Sequence, residues 1–396
     1  MITLKAKYNS ANIMIDQLDQ TTISQTYGFL NHPAFAKTYI AIMPDCHAGM
    51  GAVIGLTMKM NGYVIPNIVG VDIGCGVLTV KLPETLKDID FDKLDDFIRN
   101  NIPHGFHVNS KPACDNGFAI GVTRGGLNVP DIRGVSDNIE SDANRNVLAL
   151  GSLGGGNHFI EIGIDEDDNY WLTVHSGSRK FGLDIATYYQ KKAKELMKKM
   201  FIGSAYNNLE FLLEESPEGQ GYLCDMKFAQ HYATVNRKLM ALKIYEYLVE
   251  EFASYSYRFW EDVEQIESVH NYIDFEDRII RKGAIRAYKN ERLVIPFNME
   301  DGLVIGKGKS SKKWNCSAPH GAGRVLSRKR ARAELNLEEY QKSMKDKGVY
   351  TNSLNANTLD EAKGAYKDKD IIINSIKETV DIQHFVKPIY NFKADN

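Results

Sequence analysis

Three consecutive glycines, Gly154-Gly155-Gly156, run directly into Asn157-His158-Phe159-Ile160-Glu161-Ile162. Glycines bring no side chain to a core, so the run marks backbone held close to a ligand, leading into a strand that starts near Asn157. A second apolar run, Tyr170-Trp171-Leu172-Thr173-Val174-His175, ends in Ser176-Gly177-Ser178-Arg179. The acid-rich stretch 163–169 between them predicts a hairpin. Alternation puts Asn157, Phe159 and Glu161 on one face and His158 and Ile160 on the other. His158 and His175 then lie on neighbouring strands, within reach of one ion. Gly177 and the hydroxyls of Ser176 and Ser178 suit an oxyanion, and Arg179 adds charge. A lone histidine at a strand end is more often a satisfied polar residue; two at glycine-rich strand ends favour a ligand site.

Upstream, Thr38–Met43 reads as a short strand ending at Pro44-Asp45, followed by strands at Val53–Met58 and Tyr63–Ile65. Asn67–Val77 reads as a buried strand breaking into a Gly-rich turn that carries Asp72 and Cys75. A carboxylate and a thiol so spaced can converge on one ion, and a thiolate can bridge two. On its own, Cys75 is more often a small buried hydrophobe. Downstream, Phe91–Arg99 is an amphipathic helix, 103–136 a loop-rich excursion, and Ser141–Leu150 a helix with Ser141 as its N-cap. Lys180 to Met200 predicts a basic amphipathic helix. The stretch 222–255 predicts a long one, with Gln230, Asn236 and Arg237 as polar positions beside apolar ones. Val263–Asn271 returns to strand and ends in His270, and Arg281-Lys282-Gly283-Ala284 is a basic turn. Lys387–Lys393 closes the chain as a docking strand with Lys393 solvated.

The decapeptide Asn315-Cys316-Ser317-Ala318-Pro319-His320-Gly321-Ala322-Gly323-Arg324 concentrates chemistry. Pro319 fixes the chain before a histidine, and glycines flank Ala322, allowing close approach to a ligand. The run Arg324–Ala333 has helix-forming composition, which places His320 just before a helix N-terminus. That field favours an anion and keeps the imidazole neutral and nucleophilic. Arg324 follows one turn on and can grip the same anion. The alternative is a turn with an ordinary capping histidine.

Composition narrows the class. The chain has 396 residues, 43% hydrophobic and 25% charged, as in globular proteins. A formal net charge of −3 requires any nucleic-acid surface to be local. Lys307 to Arg332 holds nine Lys/Arg and no Asp/Glu, predicting a positive face around His320. Such a run is usually a solvated helix face, but its overlap with the histidine motif points to a phosphate-bearing partner. Five cysteines, Cys46, Cys75, Cys114, Cys224 and Cys316, in so long a chain argue against a disulfide framework. With no signal-peptide core and no run of membrane-span length, the expectation is a cytoplasmic protein.

Taken together, Gly-Val-Asp72-Ile-Gly-Cys75-Gly, Gly-Gly-Gly-Asn157-His158-Phe-Ile-Glu161, Val-His175-Ser-Gly-Ser-Arg179, His270 and His320-Gly-Ala-Gly-Arg324 closely resemble the RtcB family of GTP-dependent RNA-splicing ligases. The resemblance covers about residue 40 to the end. It implies an enzyme that joins an RNA 3′-phosphate or 2′,3′-cyclic phosphate to a 5′-hydroxyl, using GTP and two Mn2+ ions. The fold it implies is a single α+β domain over residues 1–396, with mixed β-sheets around a buried dinuclear metal site and helices outside. Cys75 would bridge the ions, Asp72 and His158 completing one shell and His175 and His270 the other. His320 would carry the covalent GMP. The nucleotide would be held by Asn157, His158, Phe159, Ile160, Glu161, His270, Asn271, Pro296, Phe297, Asn298, Met299, Leu303, His320, Gly321, Ala322, Gly323 and Lys393. Arg179 and Arg324 would face RNA phosphate, and an archease-like activator is a partner the resemblance allows.

The residues agree with that chemistry: attack on the α-phosphorus needs a neutral imidazole, and metal ions absorb the developing charge. Mixed O, N and S donors do not by themselves choose manganese over zinc or cobalt. The family usually carries Pro-Gly-Ser-Met and a second serine shortly after. This chain has Asn298 at the first and Leu303 at the second, which marks a divergent branch, with Asp301 placed to accept from a guanine edge or to repel phosphate. Two rival readings are a nucleotidyltransferase that caps a 3′-phosphate without sealing, and a metal-bearing RNA-binding protein without catalysis. Retention of His320, Arg324 and every metal ligand argues against the second.

Overall fold

The apolar runs pair into two large sheets. The computed structural model describes residues 1–86, 88–113, 127–199, 208–253 and 260–394; Cys114 and part of the 103–136 excursion lie outside them. One sheet has six strands in the order Ile2–Lys5, Ser10–Ile13, Ile40–His47, Ile54–Lys59, Ile279–Lys282, Asn271–Asp274. It is mixed, because Ser10–Ile13 and Ile40–His47 run parallel. The other has seven antiparallel strands, Gln265–Val269, Gly76–Lys81, Tyr170–Ser176, Phe159–Ile164, Val380–Phe392, Gly302–Gly308 and Arg292–Asn298. A two-stranded ribbon pairs Ala284–Arg286 with Ser317–Pro319. The architecture is α+β, as expected.

Burial fixes the register that the site depends on. Leu78, Val80, Ile160, Ile162, Leu172 and Val174 are all fully buried in one cluster. Each buried aliphatic side chain contributes about 1.5–3 kcal/mol relative to exposure. Slipping a strand by one residue would turn this set to the opposite, also buried face and put Thr79, Glu161, Thr173 and His175 into the apolar cluster, so the hairpin is held with Phe159 opposite His175. On its other side His175 pairs with Val77.

The helices lie over these sheets. Arg179–Lys199 buries Phe181, Ile185, Tyr189, Ala193 and Met197, the stripe of an amphipathic helix. Pro217–Phe252 spans 36 residues, with Pro217 at its first turn and Ser216 accepting from the Gly219 N–H. It packs against Gly76–Lys81 and Tyr170–Ser176. Phe91–Asn101 is capped by Asp90 and buries Leu94 and Ile98.

Several local expectations are corrected. Residues 66–69 form a helical turn, not a strand, because Pro66 starts it and Gly70, at φ 103°, ends it. The strand read as ending at Pro44-Asp45 continues to His47, with a register irregularity after Ile42 that tolerates the proline. The helix expected from Ser141 runs Ala143–Leu148 and is capped by Asp142. Arg281 and Lys282 belong to a buried strand, and only Gly283, at φ 61°, makes the turn. The C-terminal strand is longer than read and sits inside the seven-stranded sheet, and Lys393 is buried. The helix predicted from Arg324 begins instead at Arg328, with Ser327 as N-cap. His320 therefore directly follows the short strand Ser317–Pro319 and is not at a helix N-terminus.

Candidate metal centre and nucleotide pocket

The turn after residue 70 presents Asp72 and Cys75, and glycines let it lie flat on the long helix. A Cβ on Gly74 would sit 2.8 Å from Ala233 Cβ and 2.9 Å from Gln230 Cα. His158 arrives at the start of one hairpin strand and His175 at the end of the other. His270 stands where the chain leaves the seven-stranded sheet at Val269 and enters the six-stranded sheet at Asn271. Its N–H donates to Cys75 O at 2.9 Å, which locks the two segments together.

Their donor atoms converge. Cys75 Sγ lies 3.5 Å from His158 Nε2 and 3.4 Å from His175 Nε2. His175 Nε2 is 3.4 Å from His270 Nε2, and His158 Nε2 is 3.0 Å from Asp72 Oδ2. Two groups result, Asp72/Cys75/His158 and Cys75/His175/His270, with the donor atoms of each within 4.8 Å of one another and Cys75 common to both. Ligands bound at ~2.0–2.3 Å to one tetrahedral ion stand ~3.5 Å apart, so these spacings fit metal coordination.

The tautomers agree. His158 Nδ1 donates to Leu153 O at 2.8 Å and His175 Nδ1 to Asn157 O at 3.1 Å, leaving each Nε2 lone pair aimed at the centre. Burial, then neighbouring histidines, push His175 and His270 well below the usual imidazole range, so both are neutral. Burial raises Asp72, but His158, together with Cys75 and Arg179, outweighs it and holds the carboxyl low. Burial, then Asp72, pushes the Cys75 thiol up. A cation at the centre would reverse that and favour the thiolate.

His320 borders the same centre, its ring 4.8 Å from that of His270. Asp45, fully buried, orients it: Asp45 Oδ2 accepts from His320 Nδ1 at 2.6 Å and from the His320 backbone N–H at 3.1 Å. Because a carboxylate only accepts, Nδ1 carries the proton and Nε2 the lone pair. Gly323 serves this arrangement, since a Cβ there would lie 2.0 Å from Asp45 O. It packs against Asp45 and, like Gly321, also lines the cavity.

A cavity of about 370 Å³ opens beside the centre. Asn157, Phe159, Glu161, Asn271, Pro296–Met299, His320–Arg324 and Lys393 line it, together with Asp72, Cys75, His175 and His270. Burial pushes Glu161 up to about 8, against the opposing effects of Asn391, which donates to it at 2.8 Å, and Lys393. Lys393, read as solvated on residue type, is buried with Nζ 3.1 Å from Glu361 Oε2 and 3.4 Å from Asn157 O. Glu361 is held low: burial raises it, and Lys393 and Arg324, together with Tyr366 and Arg328, outweigh burial.

Other expected residues lie elsewhere. Ile160 and Leu303 are fully packed in apolar clusters and do not line the cavity. His158 lies behind the cavity wall, within the metal cluster. Asn298 does line it, but its side chain accepts from the Glu300 and Asp301 N–H groups and donates to Asp301. Asp301 is paired with Lys363 and Lys369 and is not among the residues that line the cavity. Arg179 donates to Ser152 Oγ and Gly105 O, away from the cavity lining. Arg324 lines it but is engaged by Glu361, Tyr366 and Asp360. The basic face is also partly neutralised, with Lys313 on Glu378, Arg330 on Glu334 and Arg332 on Asp360.

A family model described as tRNA-splicing ligase RtcB matches residues 29–394. The chain belongs to that family. Membership makes it a ligase. It is 29% identical over 387 residues to the RNA-splicing ligase RtcB of Escherichia coli K12, covering 91% of both chains. The tRNA-splicing ligase RtcB of Methanococcus maripaludis is 28% identical, covering 94% of this chain and 89% of its own. That of Aeropyrum pernix is 26% identical, covering 84% and 83%. Among the described residues, no helix is long and apolar enough to cross a membrane.

Within this RtcB-family site, sequence reasoning passed over Asp45, His47 and Arg328. His47 lines the cavity, and burial lowers it to about 4, against a backbone contact with Asp45 O. Arg328 also lines it and reaches Asn157 Oδ1 at 3.3 Å. The signal for Asp45 was a lone carboxylate after a proline in an apolar strand.

Proposed function

We propose that this RtcB-family ligase joins RNA 3′-phosphate or 2′,3′-cyclic phosphate ends to 5′-hydroxyl ends through GMP carried on His320, as one catalytic domain over residues 1–396. The observation that supports this most is the shared wall: His320, with Nε2 free, borders both the nucleotide-sized cavity and the Cys75/His175/His270 cluster.

The residues divide the work. Asp72, Cys75, His158, His175 and His270 would hold two divalent ions, assigned as Mn2+. Bound there, the ions would offset phosphate charge and activate the water that opens a cyclic end. His320 Nε2 attacks the α-phosphorus of GTP; an N–P bond forms, the bond to the bridging oxygen breaks, and pyrophosphate leaves. The proton stays on Nδ1, where Asp45 stabilises the cationic ring. An RNA 3′-phosphate oxygen then takes the guanylyl group and frees His320. The 5′-hydroxyl attacks the activated phosphorus, loses its proton and expels GMP.

Lys393 and Arg328 supply positive charge at the cavity, and Glu161, protonated at neutral pH by its burial, can donate to the nucleotide as well as accept. Arg179 and Arg324 are assigned to RNA phosphate, an archease-like protein to the role of activator, and the cytoplasm as the location. Incubating a 3′-phosphate RNA and a 5′-hydroxyl RNA with GTP and Mn2+ tests the reading. A joined strand supports it. A guanylylated RNA end that is never sealed would favour a capping nucleotidyltransferase.

A further inference from the structure

Asn236 and Arg237, adjacent on the long helix, are both fully buried, although a buried arginine is costly unless its donors are satisfied. Their bonds go almost entirely to the loops that carry the metal-cluster residues. Arg237 Nη1 donates to Gly74 O at 2.7 Å and to Ser176 O at 2.8 Å, the residues next to Cys75 and His175. Its Nε and Nη2 grip Glu267 Oε1 at 3.0 and 2.6 Å, on the strand that leads into His270. Nη2 also reaches Thr234 Oγ1, on its own helix, at 3.3 Å.

Asn236 secures the remaining loop. Its Oδ1 accepts from the Gly151 and Ser152 N–H groups at 2.7 and 3.0 Å. Its Nδ2 donates to Ser152 O, Ser176 Oγ and Gly177 O at 3.1, 3.2 and 3.0 Å. Ser176 Oγ in turn donates to Leu153 O, the carbonyl that orients His158 Nδ1. A Cβ on Gly76 would lie 2.9 Å from Ser268 O and Val269 Cα and 3.2 Å from Arg237 Cζ, so the backbone beside Cys75 packs tightly between that strand and the guanidinium.

We propose that Asn236 and Arg237 are positioning residues that act as one template, holding the Cys75, His158, His175 and His270 segments in metal-receiving geometry from behind. The amide both donates and accepts, and the guanidinium is a rigid fork, so this adjacent pair reaches several separate backbone segments with fixed geometry. The inference rests on the metal-centre reading above.

Cobalt tests it without relying on activity. Wild-type protein, Arg237→Lys and Asn236→Ser are titrated with Co2+ against a competing chelator, following the thiolate-to-cobalt charge-transfer band. Asp225→Asn, on the same helix but bonded to Tyr189, is the control for general loss of stability. Outer partners of metal ligands are worth about 10–100-fold in affinity. The expected result is a loss of that size in both template variants, with a weakened or shifted band, while Asp225→Asn keeps wild-type affinity after correction for folded fraction. Template variants that match wild type in affinity and spectrum would overturn this inference alone. A wild type that binds no cobalt would overturn the metal reading and this inference with it. Should Arg237→Lys not fold, Asn236→Ser carries the same comparison.

Discussion

Asp45 Oδ2 stands 2.6 Å from His320 Nδ1 and 3.1 Å from the same residue's backbone nitrogen. One carboxylate thus fixes both the ring and the chain that bears it. In Asp45→Asn the amide can present its NH2 to Nδ1 and favour the wrong tautomer. A guanylylation rate reduced by about 10²–10⁴-fold is expected, with GTP affinity little changed. Label transfer from α-labelled GTP measures the first and calorimetry the second; an unaltered transfer rate would show that Asp45 only supports the fold.

Cys75 is the one residue common to both donor groups. Cys75→Ala is therefore expected to lower metal content at both groups and to abolish guanylylation in parallel. Elemental analysis with label transfer checks this. Full activity in the alanine variant would remove the bridging role.

Glu161 gives a pH signature. Its folded-state pKa is raised from 4.5 to about 8, chiefly by burial. A raised carboxyl binds its proton more tightly folded than unfolded, so its stabilising effect is complete below about 4.5 and is lost as pH rises through about 8. Without nucleotide, wild-type Tm should fall between about pH 6 and about pH 9 more steeply than that of Glu161→Gln. Parallel melting curves for the two proteins would contradict the assignment.

Lys393 and Glu361 form a buried ion pair at 3.1 Å, with side chains 3% and 6% exposed. Removing one partner leaves the other charge underpaired, and Arg324 offsets only part of that. Lys393→Met should lose about 3 kcal/mol in urea denaturation, and adding Glu361→Gln should restore part of it. No loss in the single variant would show that Arg324 alone satisfies Glu361.

The candidate metal centre was legible because its residue types are chemically distinctive and its glycines mark where backbone must pass closely. The hairpin was legible from alternation, and its register puts Phe159 opposite His175. Asp45 was not, because nothing in a strand ending shows which distant side chain it will meet. The helix expected after His320 starts at Arg328 because Ser327 supplies the cap, which helix-forming composition alone does not locate. Lys393 and Arg237 look like solvated positions in one dimension. Only the fold shows that one pairs with Glu361 and the other with Glu267 and backbone carbonyls.

Intact mass after treatment with GTP and Mn2+ tests the central claim most directly. Wild-type protein should gain the mass of one guanylyl group, acid-labile as expected of a phosphoramidate, and His320→Ala should gain none. An adduct that persists in His320→Ala, or a wild type that never acquires one while its metal sites are filled, would contradict the account.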